Sequence, residues 1–236
     1  MPRLIFDIET IGDNFDEMDE ATQHALTRWI EREAKDKASY EKDLARVKGE
    51  MGLSGLTGQI VALGLLDDAK NQGAVYYQAP GEKYEDFEEE GIKFRQLDEA
   101  EMLKQFWKVA EKYDEFISFN GRGFDAPFMI TRSAAHKIRP TKDLMSNRYV
   151  NNQRFGALHI DLFDQLSFYG ATMRKGSLHL WCRALGIKSP KEDGVSGGDV
   201  GELFKDKKFQ EIARYNVGDL RATRELRDHW QKYIRV

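Results

Sequence analysis

Two acidic residues interrupt an apolar segment near the start of the chain. Asp7 and Glu9 lie in LIFDIET, Leu4 to Thr10, whose other residues favour a buried strand. Residues two apart in a strand project from the same face, so the two carboxylates are predicted to lie side by side. At ~5 Å and an effective dielectric of about 20 they repel by roughly 3 kcal/mol. A bound cation would relieve this repulsion. A solvent-facing edge strand would also relieve it, and for an isolated D-x-E pair it is the commoner explanation.

Two later segments carry acids that could reach the same place. Asp125 follows the predicted strand Glu115 to Asn120 and opens a predicted helix, where aspartate is most often an N-cap. Tyr215 and Asp219 are four residues apart on the predicted helix Lys208 to Tyr233 and therefore share a face. Taken alone, that pair is an ordinary surface contact. The order and context of the acids must decide whether they form one site.

Hydrophobic patterning predicts an α/β chain in which these residues are positioned by strands and helices. The other patterned segments are strands Gln59 to Leu66, Ala74 to Gln78 and His159 to Phe163, and helices Leu97 to Tyr113 and Ser177 to Leu185. Two charged helices are predicted in an insertion over residues 13–55, after the first strand. Short connections favour antiparallel pairing of the early strands. Loops are predicted at Gly81 to Gly91 and Gly194 to Gly201.

Composition sets the class of protein. The 236 residues are 41% hydrophobic and 32% charged, which predicts a soluble chain, and we expect one domain over residues 1–236. No apolar stretch approaches the ~18 residues of a membrane span, and Met1 leads directly into a strand, so a cytoplasmic protein is expected. The single cysteine, Cys182, excludes an intramolecular disulfide and indicates a buried structural thiol. The net charge of −4 gives no overall attraction for nucleic acid.

One region of the chain is basic, although the chain as a whole carries a net negative charge. Between Arg132 and Phe155 six cationic residues face a single acid, Asp143, and Tyr149 and Phe155 lie among them. Cations interleaved with aromatic residues are typical of a surface that contacts a single nucleic-acid strand. The alternative is a loop whose cations are only solvated.

Three motifs in order resemble those of the DEDD family of 3′-5′ exonucleases, in the subtype whose third motif is Y-x-x-x-D. They are FDIET, FNGRGFDAPF and YNVGDLRAT. The spacing from Asn120 to Asp125 is similar to that of family-B DNA polymerase proofreading domains, and HIDL and SLHLWCRALGI resemble segments of related stand-alone bacterial exonucleases. Each motif alone is weak, but three in order are specific. The long insertion and Asn216, where a small or thiol residue is common, depart from the family and leave substrate choice open.

The resemblance implies a ribonuclease-H-like fold: a mixed five-stranded sheet flanked by helices. It also implies two divalent cations, Mg²⁺ or Mn²⁺. Asp7 would bridge both ions, Glu9 and Asp219 would complete one, and Asp125 would hold the second. Tyr215 would orient the attacking water. The implied activity is hydrolysis at the 3′ end of single-stranded nucleic acid, DNA favoured over RNA, with release of nucleoside 5′-monophosphates.

The same resemblance suggests how substrate is held. The terminal nucleotide would contact the backbone near Thr10 and the side chains of Asn120 and Phe124, while Arg148 and Arg154 would contact the rest of the strand. Asp161 is either a support for the site or a core hydrogen-bonding residue. The insertion is a candidate surface for a partner of unknown identity.

Two other classes of function remain. A catalytically silent nucleic-acid adaptor on the same fold is disfavoured by the presence of all four acids and the tyrosine. A haloacid-dehalogenase-like phosphatase also begins with a strand-borne acidic motif, but it needs an aspartate where this chain has Glu9.

Overall fold

The computed structural model describes residues 1–189 and 197–235. Its strands are β1 (Arg3–Gly12), β2 (Gly58–Asp67), β3 (Gln72–Tyr77), β4 (Phe87–Glu89), β5 (Ile92–Gln96), β6 (Glu115–Ser118) and β7 (Leu158–Asp161). Its α-helices are α1 (Glu20–Glu33), α2 (Lys37–Glu50), α3 (Glu99–Ala110), α4 (Asp125–Ala135), α5 (Leu162–Leu166), α6 (Leu178–Leu185), α7 (Val200–Lys205) and α8 (Phe209–Tyr233). The order of strands and helices confirms the predicted α/β class.

The strands form one mixed sheet in the order β4-β5-β3-β2-β1-β6-β7. Neighbours β1–β2, β2–β3 and β4–β5 are antiparallel, as short connections predict, whereas β3–β5, β1–β6 and β6–β7 are parallel. β1 lies inside the sheet, between β2 and β6. The carboxyl ends of β1, β6 and β7 therefore lie at the same edge of the sheet.

The predicted strand count of five was wrong, because β4 and β5 extend the sheet to seven strands within the described residues. β4 lies where an acidic loop was predicted. Phe87 of β4 stacks on Phe94 of β5 with ring centroids 4.6 Å apart. The acids that follow are paired with α8: Glu89 with Arg214 at 2.8 Å, and Glu90 with Arg221. These contacts let a glutamate-rich segment form an edge hairpin.

Alternating residues of β1 enter two different cores. Leu4, Phe6 and Ile8 pack in the core that contains α3 and α4 residues, while Ile5 packs in the core on the α8 side. Because side chains alternate along a strand, Asp7 and Glu9 share the face of Ile5 and point toward α8. The N-terminal strand therefore presents its two acids to the last long helix.

Ion pairs fix α8 against the sheet. Asp68, which follows β2 and is 4% exposed, accepts hydrogen bonds from Arg3 and from Arg227 of α8. Buried carboxylates of this kind are costly without partners. Earlier in the helix, Arg214 and Arg221 are bonded to Glu89 and Glu90, so α8 is tied to the sheet at several positions along its length.

The helical insertion is present between β1 and β2, as predicted. α1 buries only Thr27 and Ile30, and α2 buries none of its residues. Of the loop predicted over Gly194 to Gly201, residues 194–196 lie outside the described residues. The remainder is not all loop, because Val200 is buried and begins α7. Within the described ranges, no helix is long and apolar enough to cross a membrane.

Candidate active site

Three of the predicted acids meet between β1 and α8. Asp7, Glu9 and Asp219 each offer a carboxylate oxygen, and these oxygens lie within 4.8 Å of one another. Asp7 and Asp219 are half-buried, and Glu9 is buried. The pairing register of β1 with β2 shifts between Glu9 and Thr10, so the strand is irregular where its acidic part ends. The structure thus brings together a strand pair and a helix residue far apart in sequence.

Asp125 lies beside this group at the start of α4. Its Oδ1 accepts a hydrogen bond from the backbone N–H of Ile8, the residue between the two β1 acids, at 3.0 Å. Asp125 is not among the three carboxylates that come within 4.8 Å of one another. Its buried negative charge nevertheless acts on the pKa values of Asp7 and Glu9, so it belongs to the same electrostatic site.

The acids raise one another's pKa values. Burial raises the pKa of Asp7 and of Glu9 well above the ordinary values, and the neighbouring carboxylates raise them further. Burial also raises the pKa of Asp125 to about 7, against an opposing hydrogen bond from Ile8. Without a cation the cluster therefore holds protons that an isolated acid would release at neutral pH.

Tyr215 lies one helical turn before Asp219 and is half-buried. Burial raises the pKa of its hydroxyl, and the negative charges of Asp219, Glu9 and Asp7 and a hydrogen bond to Asp219 add to the shift. The hydroxyl therefore stays protonated in any usual buffer and can act as a hydrogen-bond donor. It is the group at this site best suited to orient a water molecule without losing its own proton.

A sixth polar side chain lies in the site. Asn216, the neighbour of Tyr215, is fully buried, and its Nδ2 donates a hydrogen bond to Asp7 Oδ2 at 2.8 Å. The sequence marked this residue only as a departure from the family's third motif. The available sequence signal was its position three residues before Asp219. That spacing places both side chains on the face of α8 that meets β1.

Asp161 organises the loop that leads to Asp125. It is 2% exposed, its Oδ1 accepts from the backbone N–H of Asn120 at 2.8 Å, and its Oδ2 accepts from that of Arg122 at 2.9 Å. Asn120 has a left-handed backbone, with φ of 63°. A Cβ at Gly123 would lie 2.6 Å from Asn120 Oδ1, so a larger residue there would displace the Asn120 side chain. Asp161 therefore holds this loop by buried hydrogen bonds to its backbone, and a supporting role for the site stays a prediction.

Two of the residues expected to hold the terminal nucleotide, Thr10 and Phe124, are chain neighbours of the acids Glu9 and Asp125. Thr10 donates its hydroxyl to Gly52 O at 2.6 Å, which ties the end of β1 to the segment after α2. Phe124 is half-buried and packs against Phe128, with ring centroids 5.6 Å apart. The backbone near Thr10 and the exposed part of Phe124 remain predictions as substrate contacts.

The basic region does not form one continuous surface. Arg132 is bonded to the buried Glu99 at 2.7 Å, so it packs α4 against α3. Arg148 is bonded to Asp164, with its Nε 3.0 Å from Oδ2. Arg154 is exposed on the surface. Of the two predicted strand contacts, Arg154 faces solvent and Arg148 is partly neutralised by a carboxylate.

A comparison with protein families shows to which family the chain belongs. Residues 75–226 match a family described as a predicted 3′-5′ exonuclease related to the exonuclease domain of PolB. The match takes in more than half of the chain, including Asp125, Tyr215 and Asp219, and begins after Asp7 and Glu9. The chain belongs to this exonuclease family. Membership supports nuclease activity in general, and it agrees with the acidic group between β1 and α8.

Solved structures show the same fold. The family B DNA polymerase from the hyperthermophilic archaeon Pyrobaculum calidifontis superposes with a TM-score of 0.58 at 18% sequence identity. The superposition covers 98% of this chain and 24% of the polymerase chain, so the exonuclease-family chain spans about a quarter of that protein. A comparison with curated proteins gives no match.

Proposed function

We propose that this protein is a metal-dependent 3′-5′ exonuclease of the tyrosine DEDD subtype. It removes nucleotides from the 3′ end of single-stranded nucleic acid, DNA favoured over RNA, releases nucleoside 5′-monophosphates and acts in the cytoplasm. The observation that carries the proposal is the meeting of Asp7, Glu9 and Asp219 within 4.8 Å, in a chain that belongs to an exonuclease family.

The donor set fits divalent cations. Carboxylate oxygens are the ligands that Mg²⁺ and Mn²⁺ prefer, and crowded acids with raised pKa values gain most from a cation. Asp7, Glu9 and Asp219 would hold one ion, and Asp7 with Asp125 a second. The chemistry supplied by bound ions would be activation of water and stabilisation of charge on the phosphate and the leaving oxygen.

The chain's own residues supply orientation. Tyr215 keeps its proton and donates it in a hydrogen bond to Asp219, so its hydroxyl oxygen would accept a hydrogen bond from the attacking water and fix the direction of attack on the terminal phosphodiester. Asp219, one turn away, supplies the negative charge that Tyr215 lacks. Asn120, Phe124 and the backbone at Thr10 would hold the terminal nucleotide, and the chain adjacency of Thr10 to Glu9 and of Phe124 to Asp125 supports this.

A groove beside the site suits the preceding nucleotides. It has a volume of about 350 Å³ and is lined by cationic and apolar side chains, among them Arg122, Arg148, Lys175, Met145 and Phe163. Because it lies at the carboxyl ends of β6 and β7, it is one or two strand spacings, about 5–10 Å, from β1. Its acids, Asp161 and Asp164, are buried and already hydrogen-bonded. The exposed cations would therefore contact phosphates.

Digestion of labelled oligonucleotides tests the function. Single-stranded DNA and RNA, labelled at the 5′ or the 3′ end, would be incubated with Mn²⁺ or with EDTA. A 5′ label should give a descending ladder with Mn²⁺ and no product with EDTA. The matched control is the double variant Asp7→Asn, Asp219→Asn, which should be inactive. Degradation in EDTA, or removal of nucleotides from the 5′ end, would contradict the proposal. Binding without any product would indicate the silent adaptor.

A further inference from the structure

Asn216 lies in the middle of the acidic group. It is 0% exposed, and its Nδ2 donates to Asp7 Oδ2 at 2.8 Å. A hydrogen bond from the same side chain lowers the pKa of Glu9, against the effect of burial. An amide nitrogen carries two N–H groups. The side chain of Asn216 therefore holds Asp7 by a hydrogen bond and favours the charged form of Glu9.

The amide orientation follows from its neighbours. Within the described residues, Asn216 Oδ1 is buried without a hydrogen-bond partner. Leaving a buried acceptor unpaired costs free energy. The opposite orientation would point that oxygen at the Asp7 carboxylate and would cost more. The position of Asn216 is therefore explained by the hydrogen bond that its nitrogen donates, whereas its unpaired oxygen contributes little to core stability.

Gly64 makes room for this side chain. It is the residue of β2 paired with Asp7 of β1. A Cβ at Gly64 would lie 1.9 Å from Asn216 Oδ1 and 2.7 Å from Leu220 Cδ1. The space left by the missing side chain is therefore the space that the amide occupies. Strand β2 and helix α8 together create the position from which Asn216 reaches Asp7.

We propose that Asn216 is a positioning residue for the metal centre. By holding Oδ2 of Asp7, it fixes the rotation of that carboxylate and leaves Oδ1 directed to a cation. The kinetic consequence rests on the proposed exonuclease function. The consequence for cation binding does not.

The variant Asn216→Ala removes both N–H groups. Losing a group that orients a metal ligand typically weakens metal affinity or activity by about 10- to 100-fold. We expect a loss of that size in Mn²⁺ affinity by titration calorimetry and in kcat, with an unchanged KM for the oligonucleotide. The matched control is Leu226→Ala, which truncates a fully buried residue of the same helix. It should lower the melting temperature and leave Mn²⁺ affinity and kcat unchanged.

The outcomes are separable. If Asn216→Ala loses only thermal stability, as Leu226→Ala should, Asn216 is a packing residue and the inference is overturned. Should the alanine variant fail to fold, Asn216→Ser, too short to span the same distance, carries the test with the same expected losses. If the wild-type protein degrades no nucleic acid, the proposed function fails. The calorimetric comparison of Mn²⁺ affinity would still decide the role of Asn216.

Discussion

Tyr215 and Asp219 share one face of α8 but can do different chemistry. Only Asp219 carries a formal negative charge, so Asp219→Ala should lose Mn²⁺ affinity and rate together. Tyr215→Phe removes a hydroxyl that burial keeps protonated and retains the ring. Its Mn²⁺ affinity should hold, while the single-turnover rate falls by about tenfold or more because water is no longer oriented.

Single-turnover rates and Mn²⁺ affinities of the two variants should be measured side by side. Wild-type turnover in Tyr215→Phe would remove Tyr215 from the mechanism. Loss of Mn²⁺ binding in the same variant would instead place its hydroxyl among the metal ligands.

Metal-free stability should depend on pH through the acids. The pKa of Asp125 is raised by burial from 3.8 to about 7, so the folded protein binds this proton more tightly than the unfolded chain. Its contribution is present below the unfolded pKa and is lost as the pH rises through about 7. Buried His159, whose pKa is lowered to about 4 by burial, acts in the opposite direction, losing stability as the pH falls.

Thermal melts in EDTA across this pH range separate the two effects. The difference between wild type and Asp125→Asn should grow with pH in favour of the variant, because the amide cannot ionise. At saturating Mn²⁺, the difference in melting temperature between the two proteins should no longer depend on pH. Parallel curves for the two proteins in EDTA would show that Asp125 ionises normally in the folded state.

The spacing of residues in the sequence identified the acids as candidates but did not predict their hydrogen-bond partner, Asn216. D-x-E on a strand and Y-x-x-x-D on a helix fix which side chains share a face, so Asp7, Glu9 and Asp219 could be named. The contact of Asn216 with Asp7 joins residues 209 apart in sequence. It depends on the absence of a side chain at Gly64, which no local pattern reveals.

The loop between β6 and α4 should depend on Asp161. Asp161→Asn keeps one acceptor oxygen but turns an N–H group toward the backbone N–H of Arg122. An unsatisfied buried donor costs about 1–3 kcal/mol, so the free energy of unfolding should fall by that amount in urea titrations. Because Asn120 and Asp125 flank this loop, kcat/KM should fall as well.

Asp143→Asn is the matched control, since exposed Asp143 also accepts a backbone N–H, from Met145 at 3.1 Å. Asp143→Asn should change neither the free energy of unfolding nor kcat/KM. Equal behaviour of the two variants would mean that the loop holds its shape without Asp161.

Regular elements were predictable where pattern and caps agree. The helix predicted from Ser177 to Leu185 is α6, whose N-cap is Ser177 and whose C-cap, Gly186, has φ of 68°. β4 was missed because its acids are partnered by arginines of α8, 125 residues away for Glu89. α7 was missed because glycines precede Val200 and the burial of that residue depends on tertiary packing.

At the scale of the whole molecule, an acidic chain has to bind a polyanion locally. The net charge is −4, so attraction must come from the groove and from the exposed cations around it. Arg148 is a poor site for charge reversal, because the reversed charge would face the buried Asp164. The exposed Arg154 and the groove residue Lys175 are better choices.

The affinity for single-stranded DNA, measured in EDTA at several salt concentrations, tests whether these cations contact the strand. If Arg154 and Lys175 each contact a phosphate, the double variant Arg154→Glu, Lys175→Glu should bind more weakly, and its salt slope should fall by about 1.4. Reversal of Arg28 and Lys37, exposed cations of the insertion, is the control and should leave the slope unchanged. An unchanged slope in the first variant would indicate that its cations are only solvated.

The fit of Asn216 beside Gly64 constrains how this sequence can diverge. Asparagine at position 216 should occur in homologous chains only with glycine at position 64, whereas alanine at 64 would need both a smaller residue at 216 and a shift of the Leu220 side chain. An alignment of homologues would show the two positions changing together. In the protein itself, Gly64→Ala should be destabilising alone and less so with Asn216→Ser, because the added Cβ would then meet no amide oxygen. A substitution in β2 is thus accessible to evolution only after one in α8.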